Sequence, residues 1–316
     1  MTDNKNNLFH KYREYRKKRK AELEAKKPLT VTESILSWIK TFVGALVFVM
    51  ILHSLLIASF IVPTGSMENT VMTGDFLLVN KKFGPSTPQI IPFFNIPLPY
   101  AMLPSPCEPH KGDVIVFVFP GMRDEVEAKE FQYYLKRCVG EPGDTLQIRD
   151  NVLYVNGKKQ PLAPKARFEN DDHDDAVETY HTFPINATFT HRNYGPIRIP
   201  KKGDTIHLRT TSEYENWAIF IQREGHYVEW NGHQATIDDN ASNIYIVEED
   251  YYFGMGDNRD RSLDSRYWGF IPRDAILGSP IICWLSWNMY DEYNNELDIF
   301  HKFANIRWNR IGHSID

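Results

Sequence analysis

Residues 42–62 read FVGALVFVMILHSLLIASFIV, and the chain then turns at once into Pro63-Thr64-Gly65-Ser66-Met67. Only His53, Ser54 and Ser59 interrupt the apolar run. At about 1.5 Å rise per residue a run of this length crosses a hydrocarbon core of about 30 Å, so it predicts a transmembrane helix. A cleaved leader has an apolar region of about 7 to 15 residues behind a short basic segment; both parts are longer here, which favours a retained anchor. Pro-Thr-Gly-Ser is turn chemistry, and it sets Ser66 where a span would meet water. His53 reads as a tolerated polar residue within the span.

Upstream, residues 1–30 hold ten Lys or Arg (Lys5, Lys11, Arg13, Arg16, Lys17, Lys18, Arg19, Lys20, Lys26, Lys27) against Asp3, Glu14, Glu22 and Glu24, although the net charge of the chain is -5. A basic segment directly before a span is what the positive-inside bias produces. It predicts a cytoplasmic N-terminus and an extracytoplasmic remainder, with no nucleic-acid partner. The natural partner is the lipid bilayer.

Downstream, hydrophobic residues at 42% supply a packed core, and 19 prolines with 16 tyrosines lean toward strands and turns. Short alternating or continuously apolar runs begin at Phe76-Leu77-Leu78-Val79 and Val114-Ile115-Val116-Phe117-Val118-Phe119. The expected fold class is mainly β behind one N-terminal transmembrane helix. The expected organisation is a basic segment 1–34, an anchor 35–62, a β core from 63–159 and 251–287, an inserted β subdomain 160–250 and a C-terminal tail 288–316.

The proline-rich stretch 85–109 excludes a central strand or helix, and its Phe93 and Phe94 are expected to meet lipid headgroups or the core. Cys107, Cys138 and Cys283 have no metal-binding spacing, and the acidic run 169–175 lacks the alternation of a calcium loop. No metal or cofactor is expected.

In Gln132-Tyr133-Tyr134-Leu135-Lys136-Arg137-Cys138-Val139, strand alternation sets Tyr134, Lys136 and Cys138 on one face and Arg137 on the other. A lysine on a half-apolar face either snorkels from an edge strand or is desolvated. Desolvation lowers its pKa from about 10.4, which would let it serve as base to a serine. The stretch 254–269 is a glycine-opened loop crowded with Asp257, Asp260, Asp264, Arg259, Arg261 and Arg266.

In these blocks the chain resembles a bacterial type I signal peptidase, a membrane-anchored serine protease with a Ser-Lys dyad. The resemblance covers the anchor, Pro63–Asp75, Lys111–Pro120, Tyr134–Asp144 and Gly254–Pro272. It implies Ser66 as nucleophile and Lys136 as general base. It also implies an oxyanion hole from the Thr64 hydroxyl and the Ser66 amide, Ser262 orienting the lysine, and the ion pairs Asp257–Arg137 and Asp264–Arg266. The substrates it implies are preproteins with signal peptides, cleaved at the cell (inner) membrane. The family often has Ser at Thr64, Pro at Asn69 and a small polar residue at Arg261. Two alternatives remain: an inactive membrane-anchored β scaffold, and a self-cleaving Ser-Lys repressor-type protease, against which the span and the lack of a helix-turn-helix pattern both speak.

Overall fold

The computed structural model describes residues 14–18, 30–87, 90–91, 96–99, 101–168, 181–291, 293 and 295–315. Phe93, Phe94 and the acidic run 169–175 lie outside the described residues. The chain divides into two units, Met1–Met50 and Ile51–Asp316.

Helix α1, Val31–Leu55, opens with a capping box: Glu33 N donates to Thr30 Oγ1 at 3.3 Å and Thr30 N donates to the Glu33 carboxylate at 2.8 Å. Trp38, Phe42 and Phe48 are exposed along it. A helix with apolar side chains all round and bare to its surroundings is built to lie in lipid. The anchor is shorter at its C-terminal end than the apolar run suggested. The helix stops at Leu55, and Ile57–Ile61 is instead strand β1, paired antiparallel with β2 (Asp75–Asn80).

The physical reason is that waiting partners satisfy the helix end. Ser54 O accepts from Ser86 N at 3.1 Å and from Lys81 Nζ at 2.6 Å, and Leu56 O accepts from Lys81 N at 2.9 Å. Periodicity within 42–62 cannot separate a span from a strand that is also apolar. Ser66 therefore follows a strand rather than the helix itself.

The principal sheet adds β3 (Val114–Val118), β4 (Tyr133–Gly140), β8 (Tyr251–Met255), β9 (Ile271–Pro272) and β10 (Ile276–Ser286), in the order β1-β2-β10-β3-β4-β8-β9. Strand β11 (His313–Ser314) also pairs with β10. A second sheet is built on β5 (Thr145–Arg149), β6 (Val152–Val155) and β7 (Tyr194–Arg198), with β5 between the other two. Between β6 and the strand after it, Asn156 and Gly157 take φ of 52° and 73°, the left-handed pair of a tight hairpin turn.

The region 160–250 carries more than strands. It contains helix α2, Thr211–Arg223, capped by Thr210 and Glu213, and Ile219, Phe220 and Ile221 are buried from it. Phe220 packs with Phe183 and Phe270 at ring separations of 5.4 Å. Strand β7 pairs with β5, so part of this region is stitched into the flanking fold. The last residues are no loose tail. Arg310 grips the fully buried Asp75 with contacts of 2.6 to 3.1 Å, Arg307 joins it, and Ile315 is buried in a cluster with Leu77, Val79 and Cys283.

Candidate active site

Four segments meet around Ser66, all within the unit Ile51–Asp316. The first is the turn that holds it. Glu68 N donates to Gly65 O at 3.0 Å and Val71 N to Met67 O at 2.8 Å, and the buried Met67 anchors the turn to the core. Asn69 takes φ of 76°. Asparagine tolerates this left-handed conformation and proline, fixed near -65°, cannot. The turn is thus shaped by the residue this chain has in place of the resembling family's common proline.

The second is β4. It is an interior strand between β3 and β8, with Ile115 opposite Lys136 and Gly254 opposite Cys138. Lys136 is therefore not a snorkelling residue at a sheet edge; it is 4% exposed. Its Nζ donates to Ser66 Oγ at 2.6 Å and lies 5.7 Å from the centre of the Tyr134 ring. Arg137, one residue on, goes elsewhere as alternation requires. Its guanidinium donates through Nε and Nη2 to the two oxygens of Asp257 at 2.8 and 2.7 Å.

The third is the loop from β8 into the short helix α3 (Ser265–Trp268). Asp264 caps α3 and takes Arg266 at 2.8 and 2.9 Å, while also accepting Gly256 N at 3.1 Å. Asp257 accepts Thr70 Oγ1 at 2.5 Å. Asn258 N donates to Ser66 O at 3.1 Å and its side chain to Gly65 O at 3.3 Å. The buried ion pairs thus hold the loop rigid against the strand of Lys136, and the loop in turn holds the turn of Ser66.

Gly256 is demanded by this packing: a Cβ there would stand 2.1 Å from Ser262 Oγ and 2.5 Å from Ser66 O. Ser262 is fully buried beside the Ser66 backbone, but among the described residues its hydroxyl has no hydrogen-bond partner, so the bond to the lysine that the resemblance implied is not made in this arrangement. The Lys136 amine is directed at Ser66 instead. Thr64 is exposed and lines the same cleft.

The fourth segment went unread in the sequence. Residues 165–168 cross both loops. Arg167 N donates to Asp257 O at 2.9 Å and Arg167 O accepts Arg259 N at 3.0 Å; its guanidinium meets Glu68 at 2.7 Å. Lys165 O accepts Asn69 Nδ2 at 3.4 Å. Nothing in the local pattern of Lys165-Ala166-Arg167-Phe168 signals a strap, because its partners are about a hundred residues away in sequence on either side.

Residues 35–287 match the family described as signal peptidase, peptidase S26. That is most of the chain. The chain belongs to this signal peptidase family. Among its relatives, signal peptidase I of Haemophilus influenzae is 31% identical over 293 residues, covering 84% of this chain and 72% of the relative. That of Pseudomonas aeruginosa is 30% identical over 260 residues, covering 78% and 72%. That of Buchnera aphidicola from Schizaphis graminum is 29% identical over 283 residues, covering 84% and 77%.

The electrostatics of this family member's site are set by burial. Desolvation pushes the Lys136 ammonium down from its ordinary 10.5 to about 8, the positive charge of Arg266 adds to this, and Asp264 and Asp257 oppose it. Asp264 is itself held below the usual carboxylate range: burial raises it, and the Arg266 charge and hydrogen bonds outweigh that. Ser66 and Lys136 both line a cleft of about 1020 Å³. Its lining includes the apolar side chains of Phe60, Val62, Leu77, Val116 and Leu135, which belong to one packed cluster, together with Glu68, Asn258 and Arg261. The three cysteines are free thiols; Cys138 and Cys283 are buried and Cys107 exposed.

Proposed function

We propose that this membrane-anchored serine endopeptidase uses Ser66 as nucleophile and Lys136 as general base to remove N-terminal signal peptides from exported preproteins. The observation that carries the reading is the 2.6 Å contact between Ser66 Oγ and an amine that burial has brought down to about 8. At pH 7 such an amine is neutral in about one molecule in ten, against about one in a few thousand for an unperturbed lysine.

In the neutral state the hydrogen bond reverses: Ser66 O–H donates to the lysine lone pair. As Ser66 attacks the scissile carbonyl its proton passes to Lys136, which returns it to the leaving amine. A water then gives its proton to Lys136 and releases the acyl group. The Thr64 hydroxyl and the Ser66 amide stabilise the oxyanion. Ser262, buried and unpartnered beside the dyad, is held ready for the amine whenever it leaves Ser66. The Arg137–Asp257 and Arg266–Asp264 pairs fix the loop that carries it.

An extended peptide binds along the strand edges of the cleft, and its apolar lining selects small side chains before the cut. The basic N-terminal segment stays in the cytoplasm, so the catalytic unit works on the outer face of the cell membrane, where the bilayer is its second partner. Cleavage of a labelled preprotein by the wild type and by Ser66→Ala and Lys136→Ala variants tests the dyad. Both variants are expected to be inactive while keeping the circular dichroism of the wild type; residual cleavage by either would sink the assignment.

A further inference from the structure

Ser66 joins two peptide planes, and one residue from outside its turn holds the carbonyl of each. Asn258 Nδ2 donates to Gly65 O at 3.3 Å, in the plane before Ser66, and Asn258 N donates to Ser66 O at 3.1 Å, in the plane after it. A peptide unit is flat, so the orientation of the first plane sets φ of Ser66 and that of the second sets ψ. Together they fix where the Cα–Cβ bond points, and the hydroxyl it carries meets Lys136 Nζ at 2.6 Å.

The first plane matters for a further reason. Gly65 O also accepts Glu68 N at 3.0 Å, so two donors from segments far apart in the chain hold one oxygen. The Gly65–Ser66 peptide is trans, and its N–H therefore points away from both donors. Among the described residues that N–H donates to no acceptor, and Ser66 lines the cleft. Asn258 is itself firmly seated. It is 1% exposed, and Arg167 brackets it through the backbone: Arg167 N donates to Asp257 O at 2.9 Å and Arg259 N donates to Arg167 O at 3.0 Å. Asn258 Oδ1 has no hydrogen-bond partner among the described residues, so the side chain acts on the turn through Nδ2.

Resting on the reading of Ser66 as nucleophile, we propose that Asn258 is a positioning residue for the oxyanion hole: by holding Gly65 O it aims the Ser66 amide at the oxygen that becomes negative in the transition state. Outright removal of an oxyanion donor costs about 10²- to 10³-fold in kcat. Here the donor stays and only its aim is relaxed, so Asn258→Ala lowers kcat about tenfold and leaves KM unchanged.

The test uses the full chain in detergent with a cleavable peptide and two inhibitors that share its residues before the cut, one ending in an aldehyde and one in a primary alcohol. The aldehyde carbon takes the Ser66 oxygen as the Ser66 proton passes to Lys136, and the aldehyde oxygen becomes the oxyanion of a tetrahedral adduct. The alcohol has no carbonyl and reports ground-state binding. Asn258→Ala and the similarly sized Asn258→Leu are each expected to weaken the aldehyde about tenfold and to leave the alcohol within about twofold. The pH midpoint of kcat/KM is expected to stay where the wild type has it. The aldehyde-to-alcohol ratio is taken within one variant, so a misfolded fraction does not move it. Equal weakening of both inhibitors, an unchanged kcat or a shifted pH midpoint overturns the positioning role and leaves the dyad standing. A wild type that binds the aldehyde no more tightly than the alcohol, or a Ser66→Ala variant that still cleaves, overturns the nucleophile reading as well.

Discussion

Two lysines in this molecule are both buried and both lie against a serine, Lys136 among the charges of Asp264, Arg266 and Asp257, Lys81 with burial alone acting on it. Lys136 and Lys81 are each 4% exposed, each is pushed down by burial to about 8, and each donates to a serine hydroxyl, Ser66 in one case and Ser86 in the other. A depressed lysine beside a serine is therefore not by itself a catalytic dyad. Ser66 is partly exposed at the wall of a cleft, where a carbonyl can approach it. Ser86 is 2% exposed, and Lys81 Nζ is held between it and the carbonyl of Ser54, at the end of the helix. On the proposed reading burial makes the base, and the open face of Ser66 makes it useful. Lys81 instead closes the C-terminus of α1, where a cation and a donor are both favoured.

The largest expected effect breaks the pair apart. Lys136→Met should lower preprotein cleavage by at least about a thousandfold, the upper range for loss of a positioned base. Lys81→Met should leave kcat/KM within about a factor of two. Similar losses in both, measured on the same substrate, would mean that the second lysine also serves the chemistry.

The pH profile sharpens the same contrast. On the proposed mechanism the active form of Lys136 is the neutral amine, so kcat/KM should fall about tenfold per unit as pH drops below its folded value of about 8 and level off above it. Lys81→Met should not move that midpoint, even though its own amine titrates in the same range. A midpoint that shifts in this variant would assign the profile to the wrong lysine.

The smallest effect is on stability. Lys136 has a folded pKa lowered from 10.5 to about 8, so between these values the unfolded chain binds the extra proton and stability rises with pH. Below pH 8 both states are protonated and the full desolvation cost is present. Lys136→Met should then raise stability by up to about 3 kcal/mol, read as a higher midpoint of thermal unfolding below pH 8. A lower midpoint would show that the amine's contact with Ser66 outweighs its desolvation.

Much of the site was legible because it rests on local rules. Strand alternation from Tyr134 to Cys138 already sends Lys136 and Arg137 to opposite faces, and they do reach Ser66 and Asp257 respectively. Turn chemistry at Pro63–Met67, at Asn156-Gly157 and at the glycine-opened loop of 254–266 marks where the chain must bend. Other features depend on partners far along the chain. The strap at 165–168, the helix Thr211–Arg223 in a region read as strands, and Arg307 and Arg310 closing on Asp75 are of this kind.

The division between the two is physical. By itself the sequence determined that an apolar helix precedes a β-rich unit and that a serine, a lysine and a charged loop recur in an order that resembles signal peptidases. Periods of 3.6 and 2 and the demands of turns are written in neighbouring residues. Only the tertiary structure decided that the apolar run divides at Leu55 into span and strand, that Lys136 lies on an interior strand and that its amine faces Ser66. Desolvation is a property of what surrounds a side chain, and those surroundings are assembled from segments that lie far apart in the chain.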